Sequence, residues 1–511
     1  MRSLTLRWGS LLAYGSLLGL ACTGAPIDPM TSGDTDDCEL GSENCGCLDG
    51  DLCDPGLLCA SRMCVPSTDM SESSTSPTDT ESTNTSDPTT TTSEGGECSP
   101  ADGGVNQMCA NLDSSQIYCN QMGLCVDCTG LESCGAELPV CDPESGRCVL
   151  CLPDDASACS EQTPVCEGAT NSCVPCVAHD ECGDGACNLF TGECLGGDTT
   201  IWVDSSNDGC SNTGGSEAEP FCTLNDAMVE VVDGGGDGTA VIRLLGGPYD
   251  TPVVVPGGRK IAIINPDAGD KYVSIVATGD SIVEVEAGAT AILDGLALVG
   301  NNQKAGIVSK NAFLWVDRSR VAGNTGAGLT AGVSSVVARS VVFTGNLGGG
   351  VEANGTGSLV MENCFVTENG TNSLKQGAIS VDGGDVDVIY TTVLANQATI
   401  GYPSSFTCGD VGVASVRNSV LVGGGESTKC DAAEIVRSAV DNEMVGATNF
   451  PVMPAALGTY FTSSDGIYRA KADTMLGEIG SWLANDPATD FEGDPRPTER
   501  GSMDYPGADV P

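Results

Sequence analysis

The side chains that could do chemistry stand in rows at a nearly constant spacing. Asp294, Asp317, Arg339, Glu362 and Arg417 recur at 22 to 28 residues, with Ile389 in the same series and Arg318 and Arg320 beside it. Acid and base that meet on adjacent strands form ion pairs on a surface. Arg318, Arg320 and Arg339 together would also suit a ligand carboxylate. A second series is apolar: Ile292, Trp315, Val337 and Val360, with Val342 and Phe365 on a neighbouring row. Either the irregular C-terminal segment, about Asp431 to Pro511, folds back over it, or it is a groove centred on Trp315, with Phe365, for stacking sugar rings or docking a partner. The chain has one histidine, His179, and it lies among cysteines far from both series, which removes most chemistry that leans on imidazole.

These rows are positioned by a repeat. Asn301, Asn324, Asn346, Asn369 and Asn396, with Gly424 as a sixth marker, each close a similar segment. Three residues before the markers stand Leu298, Val321, Phe343, Val366, Val393 and Leu421; five before stand Leu296, Ser319, Val341, Cys364, Thr391 and Ser419. This is period-two alternation, interrupted by a polar bend such as Asp294-Gly295 or Glu362-Asn363. Three short strands and three bends in about 23 residues describe one coil of a parallel β-helix. A single coil cannot bury its own apolar face, so coils stack and like residues form ladders. The asparagines fit such a ladder, each amide bonding the next. The expected fold class is all-β: a right-handed parallel β-helix with three-strand coils and an N-terminal capping helix, preceded by small disulfide-rich modules and a disordered linker.

Composition sets the setting. Basic residues near the start, then LLAYGSLLGLAC, read as a signal peptide, too short to span a bilayer. Its end, Leu18-Gly19-Leu20-Ala21-Cys22, resembles a bacterial lipobox, with Cys22 as the lipidated residue and Gly19 departing from the usual leucine. That resemblance implies an exported protein, outer-membrane-anchored or extracellular, touching the membrane through its lipid alone. The 28 cysteines then favour disulfides. The net charge of −49 disfavours nucleic acid and anionic lipid as partners.

In order, the chain reads as signal peptide and lipobox 1–22, tether 23–37, a six-cysteine module 38–66, a Ser/Thr-rich disordered linker 67–97, four cysteine-rich repeats 98–197, the β-helix 198–430 and an irregular C-terminal segment 431–511 packing on it. The repeats carry four cysteines each, and export favours disulfides over zinc at Cys125/Cys128, Cys148/Cys151 and Cys173/Cys176, where copies abut. They resemble the cysteine-rich repeats of large myxobacterial surface proteins and read as a stiff stalk. Cys408 and Cys430 lie one coil apart, within disulfide reach across a strand spacing. Cys210 and Cys222 would clip a loop. Cys364 is left as a buried free thiol.

The start of the solenoid, IWVDSSNDGCSNTGGSEAEPFCTLNDAMVEVV, resembles that of secreted β-helix proteins of the pectin-lyase-like superfamily, matching in Pro220, Phe221, Thr223, Leu224 and Ala227. At the far end Asp490, Gly493, Arg496, Pro497, Asp504, Gly507 and Ala508 match the closing segment of that superfamily, with Pro506 as an extra residue. The resemblance covers about 300 residues. It implies a ligand-binding outer face, and in its enzymes either a Ca²⁺-dependent lyase with an Arg or Lys base or a hydrolase with clustered aspartates and a nearby histidine. No histidine lies in the solenoid, so the hydrolase pattern is absent there. For the lyase the candidates are Arg318, Arg320 and Arg339. Asp204, Ser206 and Asp208 in DSSNDG resemble the start of an EF-hand loop, with Gly215 where its glutamate belongs, which makes Asp204 and Asp208 the candidate Ca²⁺ ligands. Apart from Ca²⁺, no cofactor is expected. The leading expectation is non-catalytic adhesion or recognition of an extracellular polysaccharide or another surface by a monomer. The alternatives are a polysaccharide lyase or other polysaccharide-active enzyme, and a purely structural spacer.

Overall fold

The computed structural model describes residues 57–60, 63–66, 118–119, 125–129 and everything from 134 to 511 except 197–198, 234–237, 268–270, 301–303, 424–427, 431–432, 442–447 and 485. The signal peptide, Cys22, the tether, most of the six-cysteine module, the Ser/Thr-rich linker, nearly all of the first cysteine repeat, and the markers Asn301 and Gly424 lie outside the described residues. The chain divides into two units, 1–89 and 90–511. In the first, Leu57–Ala60 and Met63–Pro66 pair as an antiparallel hairpin.

The second unit holds a parallel β-helix. Its three sheets carry 10, 8 and 9 strands among the described residues, each strand pairing with its counterpart one coil on. The alternating sequence selects the faces. Leu298, Val321, Phe343, Val366, Val393 and Leu421 are register partners and are all fully buried. Inside the bend, Ser319, Val341, Cys364, Thr391 and Ser419 are equally dry. Burial of the free Cys364 pushes its thiol up to about 12, and Sγ donates to the Ala338 and Glu362 carbonyls.

The asparagines form the ladder. Nδ2 of Asn324 donates to Asn346 Oδ1 (2.8 Å), that of Asn346 to Asn369 Oδ1 (2.9 Å) and that of Asn369 to Asn396 Oδ1 (3.1 Å). Each Oδ1 also accepts the preceding asparagine's backbone N–H. The buried amides of Asn346 and Asn369 are thereby satisfied from the coils on both sides.

Between the first and third sheets six successive coils each turn on one left-handed residue: Gly295, Arg318, Ser340, Asn363, Tyr390 and Asn418 have φ between 38° and 71°. Glycine and asparagine take this conformation readily; Arg318, Ser340 and Tyr390 are held in it by stacking. Their N–H groups donate to the next coil, Arg318 to the Arg339 carbonyl at 3.0 Å and Ser340 to that of Glu362 at 3.0 Å. The bend turns Asp294, Asp317, Arg339 and Glu362 toward one edge of the outer face.

A helix, Leu224–Asp233, opens the solenoid. Thr223 Oγ1 accepts the Asp226 N–H at 3.1 Å, an N-cap, and Leu224, Ala227, Met228 and Val231 join the interior cluster. Disulfides join Cys210 to Cys222 and Cys408 to Cys430, the latter with Cα atoms 4.8 Å apart.

Two boundaries differ from the sequence reading. The coil pattern continues past 430 through Ala433–Val436, Ala439–Val440 and Phe450–Pro451, because short apolar pairs suffice to extend a sheet that already has a partner. The cysteine tract is not a stalk throughout. In the described modules the first cysteine bonds the third and the second the fourth, as in Cys128–Cys141 and Cys134–Cys148, then Cys151–Cys166 and Cys159–Cys173, then Cys176–Cys187 and Cys182–Cys194. The last module lies on the β-helix. Ala186 and Leu195 pack with Ile292 and Trp315, and Phe190 meets Trp315 edge-on at 5.4 Å.

The apolar outer rows are therefore covered in part, and by two segments rather than by the C-terminal segment alone, with Val337 and Val360 left half-buried. The module takes Ile292 and Trp315; the C-terminal segment takes Val342 and Phe365 with Ala508 and Phe491. That segment is bolted on by Arg496, which is fully buried. Arg496 donates to Asp504 (3.1 Å), to Asn363 Oδ1 (3.3 Å) and to the Gly507 carbonyl (2.8 Å), and lies 3.9 Å from the Tyr390 ring centroid.

Candidate functional site: a cleft where three parts of the chain meet

The docked module, the bend edge of the β-helix and the C-terminal segment enclose a cleft of about 1100 Å³. The module contributes His179 and Asp180, the β-helix Asp294, Asp317, Arg339 and Glu362, and the C-terminal segment Asp490, Phe491 and Glu492. Tyr272, about a third exposed, lines it as well.

Register explains the charge order. Asp294, Asp317, Arg339 and Glu362 are successive Cα partners across the first sheet. Arg318, turned back by its left-handed backbone, holds Asp294 through both oxygens, with Nε–Oδ1 at 2.9 Å. Arg339 holds Asp317, Nε–Oδ2 at 2.9 Å, and lies 5.5 Å from the Trp315 ring centroid. The two-oxygen fork of Arg318, and the two N–H groups that Arg339 places on one oxygen, fix both guanidinium planes. Burial pushes the Asp294 carboxyl above the usual carboxylate range despite its partner, and burial does the same to Glu362. The Asp294 bond holds Arg318 above its ordinary value.

His179, set aside in the sequence for its distance from the solenoid, is brought to the heart of this network. Nε2 lies 3.7 Å from Asp294 Oδ2, and Nδ1 accepts the Cys187 N–H at 3.1 Å. Accepting at Nδ1 assigns the proton of the neutral ring to Nε2. The imidazolium would lose the Cys187 bond. Burial pushes the imidazole below its usual value, and Arg318 and Arg339 oppose Asp294 and Asp317 around it. With the folded value depressed, the unfolded chain binds more protons near pH 6, so the docking it supports weakens as pH falls. The melting temperature of the wild-type protein is expected to drop more steeply between pH 7.5 and 5 than that of His179→Gln. Parallel slopes would remove His179 from the seam's energetics.

The other candidates separate. Arg320 is not part of the cleft lining and is tied to Asp465, with bonds of 3.0 and 3.1 Å. Phe365 is fully buried beneath Phe491, ring centroids 5.0 Å apart, so it offers no face to a ligand. Trp315 is half-buried beneath Phe190. Asp204 Oδ1 accepts the Ser206 N–H at 2.9 Å and its hydroxyl at 2.6 Å, the bonds of a turn, and Asp208 is exposed. Among the described residues, neither belongs to a group of three that could hold a metal. Asp490, Glu492 and Asp509 do form such an acidic trio. Burial and the Glu492 contact push the Asp509 carboxyl up to about 8.

Fold and cleft together define a parallel β-helix protein with a disulfide-rich N-terminal region, whose last module docks on the β-helix. Residues 95–200 match the model of a family of unknown function, DUF8331. No curated protein matches the chain. Among solved structures, the crystal structure of pectate lyase Pel9A is similar over 61% of this chain and 97% of that one, at 12% identity and a TM-score of 0.32.

Proposed function

We propose that this chain is an exported bacterial surface protein, lipid-anchored through Cys22, whose cleft binds an extracellular saccharide without chemically altering it. The observation that carries this reading is the cleft itself: about 1100 Å³, with fixed guanidiniums and carboxylates beside the Tyr272 ring. Saccharide sites pair oriented polar groups with an aromatic face. A lyase reading needs an arginine able to accept a proton. Arg318 and Arg339 are both locked on carboxylates, which leaves neither free to act as base. A second reading, a polysaccharide-cleaving enzyme, is favoured by one observation, the approach of His179 to Asp294.

Affinity electrophoresis of the mature chain through gels containing a panel of polysaccharides tests this. At least one is expected to retard it, with Tyr272→Ala weakening retention about tenfold. Release of reducing ends or unsaturated products from the retarding polymer would instead establish the enzyme, and no retardation by any polymer would overturn the cleft's role.

A further inference from the structure

Four exposed apolar side chains gather at one corner of the β-helix, where the chain passes from the third sheet to the second just after the asparagine ladder. Leu347 is 48% exposed, Leu374 41%, Ile400 99% and Tyr402 37%. Two adjacent coils are extended there. Val351 follows the ladder residue Asn346 by five positions, whereas its register partners Ile379 and Phe406 follow Asn369 and Asn396 by ten. The two extensions brace each other. The Thr399 N–H donates to the Leu374 carbonyl at 2.7 Å, Thr399 Oγ1 donates to that of Asn372 at 3.1 Å, and Lys375 Nζ lies 5.2 Å from the Tyr402 ring centroid. The projection is thus shaped before any partner arrives, with Ile400 at its tip wholly in water.

Charge is the second observation. The chain carries 70 acidic residues against 21 basic ones, yet residues 323–327, 345–349, 370–377 and 397–405, which form this corner in four coils, hold no acid and one base, Lys375. Glu368, two residues before the first extension, accepts from the Tyr468 hydroxyl at 3.2 Å. The overall −49 acts here only through charges outside the corner, and 0.1 M salt screens those beyond about 10 Å. An aliphatic tip with a tyrosine at its base and a lysine beside the ring has the composition of a segment seated in a bilayer interface, its apolar end among acyl chains and its polar groups at the phosphates. Exclusion of carboxylates from so acidic a chain favours an anionic headgroup layer over a protein groove.

We infer that Leu374, Lys375, Ile400 and Tyr402 dock the β-helix on a phospholipid surface. The contact is independent of the cleft and of any lipid on Cys22. Flotation of the full mature chain bearing Cys22→Ser, with vesicles of phosphatidylethanolamine and phosphatidylglycerol in 0.1 M salt, tests it. The chain is expected to float at millimolar lipid. Leu374→Ser/Ile400→Ser should lower its partition coefficient about tenfold and Lys375→Ala by less, with unchanged circular dichroism. Val413→Ser, an exposed apolar residue at a different corner, should leave it unchanged. A chain that stays out of the vesicle layer, or a double-serine variant that floats as well as its parent, overturns the inference. So does self-association without flotation that the double variant abolishes, which makes the corner a contact between copies of the chain.

Discussion

Arg496→Ala is expected to detach the C-terminal segment from the β-helix. The guanidinium is wholly buried and its removal leaves the Asp504 carboxylate dry and unpaired. Breaking one partner of a buried pair costs about 3–5 kcal/mol. The same change frees Asn363 Oδ1 and the Gly507 carbonyl and removes the cation over the Tyr390 ring. The loss is local, because the coils beneath hold their own interior cluster. Hydrogen exchange should therefore show residues 487–511 losing protection while the strand Phe343 occupies keeps it. Arg496→Ala/Asp504→Asn should recover part of the loss, since it removes the stranded charge. An Arg496→Ala protein with protection unchanged throughout would show that the segment is held by Phe491, Ala508 and their apolar neighbours alone.

Asn369→Ala is the second large effect, and its reach should be global. Asn369 Oδ1 accepts from the side chain of Asn346 (2.9 Å) and its backbone N–H (3.0 Å), and Nδ2 donates to Asn396 Oδ1 (3.1 Å) and the Phe343 carbonyl (2.8 Å). The Asn346 backbone N–H and the Phe343 carbonyl lose a buried partner, whereas Asn346 Nδ2 keeps the Val321 carbonyl (3.0 Å) and Asn396 Oδ1 keeps the Asn369 backbone N–H (2.9 Å), and each stranded group costs about 1–3 kcal/mol. Relaxation of the coil recovers part, so a loss of about 3 kcal/mol or more in denaturant unfolding is expected. Asn354→Ala provides the comparison, because Asn354 is exposed and its amide bonds the half-buried Glu352 at the surface, and a change within about 0.5 kcal/mol is expected there. If the two variants unfolded alike, the ladder would be a by-product of stacking with no hold on stability.

Both predictions turn on features with different visibility in the sequence. The ladder was legible because Asn324, Asn346, Asn369 and Asn396 repeat in phase with Val321, Phe343, Val366 and Val393, and stacked coils must bring equal positions together. The bends were half legible. Asp294-Gly295 and Glu362-Asn363 carry the residues a left-handed turn prefers, whereas Arg318, Ser340 and Tyr390 adopt it without a local signal, because the coils above and below impose it.

The cleft was not legible. Its charged row was visible as an ion-pair series, but the partners were not: Asp294 is taken by Arg318 of the next coil rather than by its own row, and Arg339 bonds Asp317 while attracting Glu362 from a greater distance. His179 reaches Asp294 across 115 residues of chain. No periodicity encodes that contact.

What the residues determined unaided was the coil: its period, its dry face and the amide column inside it, since each follows from short-range alternation and from the need of every backbone layer to find another. What only the assembled chain decided was the fate of the outer face. Two aperiodic segments compete for it, one held by disulfides and one by Arg496, and the space left between them is the cleft. Such docking depends on shape and on single buried charges, which carry no repeat for a reader of the sequence to find.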